Sequence, residues 1–473
     1  MTFPEVERWG VHDVVLEGPA AGNPFADVVL TARFQHLNRV VEVAGFYDGD
    51  GTYRIRFSPD REGHWRFVTS SNVPALDSRR GEFVCVAPGP GNHGPVRVVD
   101  RYHFSYADGT RYLPVGTTCY HWTHQMDEEH EESTLRSLAR SPFTKVRMCV
   151  LPTGGMRPPA LAFECDTPGK LDKTRFNPRF FAHLERRIAD LCALGIVADV
   201  ILLHPYDKGV WGVDDMTPEQ DRYYLRYVVA RLAAFRNVWW SMANEYDFNT
   251  NKTVADWDAL LRYLQRLDPY ARLRSIHNGT RMYEWAAVYD FTKPWLTHQS
   301  IQHWDATQVG QWREACAKPV VIDEICYEGD IERRWGNISG REMTRRFWLG
   351  TVAGGYVGHG ECFVDSAYGR WVSRGGVLSG ESPARIAFLR RILEEGPADW
   401  SRARQVGTYW LEYLGDRQPA FHSVELPDGG DYAIDVIDTW EMTVTPYGGR
   451  HRGHCRVPVG RTDLALRVKK VTG

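Results

Sequence analysis

The nine cysteines of this 473-residue chain follow no regular spacing, with no CxxC pair and no CxxC…HxxxH pattern. That argues against a zinc site and against a disulfide framework. An excess of one charge sign is also missing. The formal net charge is -3, so no polyanion-binding surface is implied and nucleic acid is not an expected partner. No apolar run is long enough to span a membrane, so none is expected to hold the chain. The opening Met1-Thr2-Phe3-Pro4-Glu5 has neither a basic n-region nor an apolar h-region. No secretory signal is read there, and a reducing, cytoplasmic setting is expected. No P-loop, no GxSxG elbow and no GxGxxG placed after a strand is read, which leaves nucleotide-binding and α/β-hydrolase readings without support.

The length implies two or three domains. Hydrophobic residues at 43% and charged residues at 25% are ordinary for a globular protein. The 17 Trp and 22 Tyr are the deviation. They serve either as core filler or as flat faces that stack on sugar rings, and composition does not separate the two.

Residues 1–95 read as an N-terminal β-sandwich. Asp27–Phe34, Thr52–Phe57 and His64–Thr69 are short β-rich runs separated by turn signals such as Asp48-Gly49-Asp50-Gly51. The Pro/Gly run Ala87–Pro95 reads as a linker. Residues 96–400 then alternate apolar strands with amphipathic helices, the rhythm of an α/β (β/α)8 TIM barrel. The eight strands are read at Tyr112–Cys119, Thr144–Leu151, Val197–His204, Val238–Asn244, Leu273–Asn278, Trp295–Gln299, Val320–Glu324 and Gly355–Phe363. Asn177-Pro178 and Thr217-Pro218 are helix starts, each a capping residue followed by proline. Residues 401–473 return to β, with strands at Val406–Tyr413, Ala420–Glu425, Asp431–Asp438 and Met442–Pro446, and form a small C-terminal β domain.

The chemistry is carried by two strand ends. Val238–Tyr246 is an apolar strand ending in Asn244-Glu245, and Pro319–Glu328 delivers Glu324 in the same way. Strand ends on the C-terminal side of such a barrel face the active site. Two carboxyls across the mouth suit glycoside cleavage with retention, in which an acid protonates the leaving oxygen while a carboxylate roughly 5–5.5 Å away attacks the anomeric carbon. Their acidities must be pushed apart for this. Asn244 is expected to donate to the sugar 2-hydroxyl.

With Asn244-Glu245 on strand four and Asp323-Glu324 on strand seven, followed by Tyr327-Glu328-Gly329, the chain resembles the clan A glycoside hydrolases, and among them the apiosidase-like hydrolases. The likeness extends to the domain order. It implies that Glu245 is the acid/base and Glu324 the nucleophile. It also places a basic residue, Arg147, near the nucleophile, and a partner for it after strand six, at His303-Trp304. Pentofuranosides such as apiosides or arabinosides follow from this likeness alone. Asp323 departs from the Gly common at that position. By pleat alternation it is expected to point away from Glu324, into the barrel wall.

Further substrate contacts are expected at the other strand ends: His121, Trp122, His204, Tyr206, His277, Asn278 and Glu361, with His359 beside it. Inward core positions should otherwise be Val, Ile or Leu. Glu328 is a rival nucleophile, but it lies past the strand and should meet a loop or a sugar hydroxyl. Two other classes compete. A metal-dependent barrel hydrolase would need His-X-His on strand one, and His121 and His124 cannot alternate onto one face, so no metal or cofactor is expected. A non-catalytic carbohydrate-binding barrel would not need both carboxylates. The long loops Pro152–Lys173 and Pro205–Pro218 could close one end of the cleft, so exo action on small carbohydrates is expected. The flanking β domains are expected to be structural and to make oligomer contacts.

Overall fold

The computed structural model describes residues 3–167, 170–279, 288–366, 369–398, 400 and 406–471. At its centre eight parallel strands form one sheet. They are β1 (Gly116–Thr118), β2 (Lys145–Cys149), β3 (Val197–Leu203), β4 (Val238–Ala243), β5 (Arg274–Ser275), β6 (Gln299–Gln302), β7 (Val320–Glu324) and β8 (Tyr356–His359). The order β5-β4-β3-β2-β1-β8-β7-β6 is that of a TIM barrel, and a parallel bridge from His277 to Ser300 joins the two ends.

Helices α1 (Glu128–Ala139), α2 (Pro178–Ala193), α3 (Pro218–Leu232), α4 (Val254–Leu267), α5 (Val309–Cys316), α6 (Gly340–Val352) and α7 (Ser382–Glu394) surround the strands. Their starts follow from local sequence. Asn177 accepts from the Arg179 N–H ahead of Pro178, and Thr217 and Thr253 form capping boxes with Gln220 and Asp256. No helix among the described residues is long and apolar enough to cross a membrane.

Strand six is not at Trp295–Gln299 as read from the sequence; it runs from Gln299 to Gln302. Residues 295–298 instead lie against Arg274: the Trp295 carbonyl accepts from its Nε and the Thr297 N–H donates to its carbonyl. The run Gln299-Ser300-Ile301-Gln302 hid the strand because it is mostly polar: Ser300 and Gln302 meet Asp323 and Glu245 inside the barrel, and Gln299 donates to the Trp312 and Lys318 carbonyls.

The barrel interior also departs from expectation. It is not lined by aliphatic residues alone. Lys145 of β2 is fully buried and its ammonium lies 2.7 Å from Asp199 of β3 and 2.6 Å from Asp323 of β7. Asp323 therefore points into the interior and not into the wall. The pleat argument fails because the β6–β7 register slips at this point: Ile301 pairs with Ile322, but Gln302 pairs with Glu324. The irregularity lets consecutive residues Asp323 and Glu324 both reach inward.

Ahead of the barrel, seven strands form one curled sheet. The 11-residue strand Arg39–Gly49 pairs with Leu30–His36 through its first half and with Thr52–Phe57 through its second. The curl brings Phe34 and Phe57 into a stack at 4.1 Å. This sheet packs on α2 and α3. Arg231 of α3 reaches Asp48 at 2.7 Å, and Glu185 of α2 lies 3.1 Å from Arg56. After the barrel, Tyr409–Tyr413, Leu464–Val471, Asp431–Asp438 and Thr443–His451 form a four-stranded sheet, with Phe421–Glu425 and His454–Pro458 paired beside it. The strands at 454 and 464 were not among those read from the sequence. Tyr413 stacks on Trp348 of α6 and fixes this region against the barrel. No disulfide joins any of the nine cysteines.

Candidate active site

The C-terminal mouth of the barrel opens into a cleft of about 630 Å³, and both Glu245 and Glu324 line it. Glu245 follows β4 after a single residue, Asn244. Its backbone is left-handed (φ 44°, ψ 52°), a conformation that costs a non-glycine residue about 1 kcal/mol or more. The bend turns the carboxyl over the barrel axis. Gly279, after β5, leaves the space: a Cβ there would overlap the Cβ and Cγ of Glu245.

The two carboxyls sit in one hydrogen-bond network. Tyr206 donates to Glu245 Oε2, and Gln302 Nε2 donates to Glu245 Oε1 at 3.1 Å. Tyr120 donates to Glu324 Oε1, which also receives Arg147 NH1 at 3.2 Å and lies 3.3 Å from His277 Nε2. Asn244 links the two halves. Its Nδ2 lies 2.7 Å from the Tyr206 hydroxyl and 3.3 Å from that of Tyr120, and its Oδ1 accepts from Arg147 at 2.7 Å.

This environment separates the two acids. Burial pushes the Glu245 carboxyl up, the nearby Glu324 charge adds to it, and together they outweigh the bonds from Tyr206 and Gln302, leaving it at about 8. Burial acts on Glu324 in the same direction. There, however, the His277 hydrogen bond, the Arg147 guanidinium and the Tyr120 hydroxyl prevail and hold the carboxyl well below its ordinary value. At neutral pH one carboxyl is protonated and the other is charged.

The other residues singled out from the sequence divide into three groups. His121 and Tyr206 line the cleft. The His121 Nδ1 is buried without a hydrogen-bond partner, and burial, then the neighbouring His124 and His204, keep the ring neutral. Arg147, Asn244, His277, His204 and Asn278 stand behind the wall. His204 donates through Nε2 to the Leu151 carbonyl at 2.8 Å and stacks under Tyr206 at 5.2 Å. Asn278 exchanges hydrogen bonds with the Gln302 backbone. Both amide hydrogens of Asn244 already go to tyrosines, so a sugar hydroxyl would have to displace one of them.

Trp122, His303, Trp304 and Glu361 do not line the cleft. Trp122 is fully buried core, because residues 122–124 turn into a short helix beneath the mouth. The His303 N–H donates to the Glu324 carbonyl, so it braces the backbone of that residue. Trp304 is 39% exposed outside the cleft. Glu361 accepts from the N–H groups of Ser379 and Gly380, and Glu328 from those of Glu381 and Ser382. These two carboxylates, with His359 beside them, anchor the start of α7. Glu328 thus meets a loop and does not line the cleft.

Tyr120, Gln302, Tyr327, Trp335, Met156 and Arg374 line the cleft and were not singled out as site residues. Tyr120 directly precedes His121 and could have been found by taking one more residue at the end of strand one. Gln302 was hidden by the misplaced strand six. Trp335 lies in a three-residue 3-10 turn, Arg334–Gly336, too short to leave a periodic signal.

Residues 99–361 match the family model described as the apiosidase-like catalytic domain. Residues 5–72 and 399–469 match two domains of unknown function, DUF5060 and DUF5605. No curated protein matches the chain. Among solved structures, a Bacteroides vulgatus protein assigned to the glycoside hydrolases is 39% identical, with a TM-score of 0.92 over 99% of this chain and 100% of that one. A glycoside hydrolase family 5 structure from the same organism, at 14% identity and a TM-score of 0.60 over 80% of this chain and 94% of that one, shares the fold. The chain belongs to the apiosidase-like family of TIM-barrel glycoside hydrolases.

Proposed function

We propose that the protein is a retaining glycoside hydrolase in which Glu245 is the acid/base and Glu324 the nucleophile. The observation that carries this reading is the opposite pull on two carboxyls facing one cleft, one raised to about 8 and one held low. In the first step Glu245 gives its proton to the glycosidic oxygen, the bond from that oxygen to the anomeric carbon breaks, and a Glu324 oxygen bonds to the carbon. In the second step Glu245, now a carboxylate, takes a proton from water. The water oxygen then bonds to the carbon and Glu324 leaves. Neutral His121 and the hydroxyls of Tyr120 and Tyr206 are read as the groups that meet sugar hydroxyls, and Tyr327 and Trp335 as apolar faces for the ring.

We read the action as exo. The loops after β2 and β3 lean on one another, with Gly154 N–H donating to the Tyr206 carbonyl and Trp211 Nε1 to the Thr153 carbonyl, and they supply Thr153 and Met156 to the cleft. This wall suits small oligosaccharides or glycosides, and family likeness favours pentofuranosides. Nine cysteines without a disulfide fit a reducing, cytoplasmic setting. The curled N-terminal sheet, as a β-sandwich over residues 1–95, and the β domain over 401–473 are read as supports of a barrel at 96–400. A panel of aryl glycosides tested with wild type and Glu324→Gln decides the reading. Turnover of one of them that falls at least about 10⁴-fold in the variant supports it. Equal turnover by both proteins contradicts it.

A further inference from the structure

The hydrogen-bond partners of His277 leave only one consistent arrangement of protons. The ring is fully buried after β5. Its Nδ1 lies 3.1 Å from Ser300 Oγ, and its Nε2 lies 3.2 Å from Gln302 Oε1 and 3.3 Å from Glu324 Oε1. Ser300 has a single hydroxyl hydrogen. It goes to Asp323 Oδ2 at 2.5 Å, and Asp323, ion-paired with Lys145, only accepts. Ser300 Oγ must therefore accept from His277, which places a hydrogen on Nδ1. The orientation of the Gln302 amide is also settled. Its Nε2 faces the backbone carbonyl of Gly279 at 3.2 Å as well as Glu245, and a carbonyl cannot donate, so the amide oxygen must face His277. Nε2 thus meets two oxygens, neither of which has a hydrogen to give it. A bare Nε2 would set lone pairs against each other in a site closed to water.

We propose that His277 is held as an imidazolium and keeps Glu324 ionised as a positioning residue; this rests on the nucleophile assignment above. The buried charges agree. With Glu245 protonated, Lys145, Arg147 and His277 face Asp199, Asp323 and Glu324: three cations against three anions. A neutral imidazole would leave one buried anion uncompensated. Among the described residues, the titratable groups that face the ring are Glu324 and, through Ser300, Asp323 from β7; Glu245, through Gln302, from beyond β4; Arg147 from β2 on the same Glu324 oxygen; and the Tyr120 hydroxyl. Once Glu324 becomes a neutral glycosyl ester the imidazolium loses its partner. The fixed positive charge then favours departure of Glu324 as a carboxylate in the second step.

Neutron diffraction from deuterium-exchanged wild-type crystals, at a pH where the enzyme turns over, tests this without a variant. Deuterons on both ring nitrogens are expected; a deuteron on only one overturns the proposal. A His277→Gln variant keeps an amide donor near Glu324 and removes the charge. Its acidic limb of kcat/KM should move up by about one pH unit or more, because the nucleophile loses a cation. An unmoved limb in a variant that melts cooperatively also overturns the proposal. Should Glu324→Gln remain active, the nucleophile reading fails, while the neutron map still reports the state of His277 separately.

Discussion

Gln302 Nε2 donates to Glu245 Oε1 across 3.1 Å, while the carbonyl of the same amide faces His277. One side chain from β6 therefore bridges the surroundings of both acids. The bond to Glu245 favours its charged form. A Gln302→Met variant should move the alkaline limb of kcat/KM upward from the region of pH 8, and kcat should fall about 10-fold or more as Glu245 loses its orientation. The pH profile of kcat/KM checks this, and a limb that moves down would refute it.

Gly279 is required by the proximity of Glu245. A methyl group there would overlap the Cβ and Cγ of Glu245. Gly279→Ala should lower kcat by about 10²-fold by displacing the acid, with only a small change in melting temperature because the residue sits at the cleft edge. Steady-state kinetics and thermal unfolding together separate this outcome from general destabilisation.

Glu245→Gln should reveal the acid through its dependence on leaving group. Loss of proton donation should cost about 10²–10⁴-fold on poor leaving groups and much less on aryl glycosides with acidic phenols. The same variant carries a stability signature. The folded-state acidity of Glu245 lies near 8, above the unfolded value of about 4.3. Its contribution to stability is complete below the unfolded value and is lost as pH rises through the folded one. Wild type should therefore lose stability relative to Glu245→Gln between about pH 4 and pH 8, as thermal unfolding across pH would show.

How legible these features were in the sequence differs residue by residue. Glu245 and Glu324 could be read because an apolar strand delivering an acid to its end is costly without a purpose. The barrel interior could not. Lys145, Asp199 and Asp323 are charges in three separate apolar runs, and only closure of the sheet shows that they meet. Asp323 was misjudged because a register slip has no signature in one sequence. Tyr120 and Gln302 are polar residues beside strand ends, where boundaries are uncertain by the very residue or two that matters.

The interior charges imply a stability cost for one substitution. Lys145→Met should leave Asp199 and Asp323 without the ammonium that bridges them, with only Arg147 Nε at 3.7 Å from Asp199, a loss of about 3–5 kcal/mol. Denaturant unfolding measures it. A variant as stable as wild type would show that the network is dispensable.

The claim that two carboxyls of opposite charge state act on one anomeric carbon is tested most directly by the configuration of the first-formed product, followed by proton NMR on a substrate that wild type turns over. The account predicts the same anomer as the substrate, appearing before mutarotation. The opposite anomer as the initial product would contradict the role assigned to Glu324.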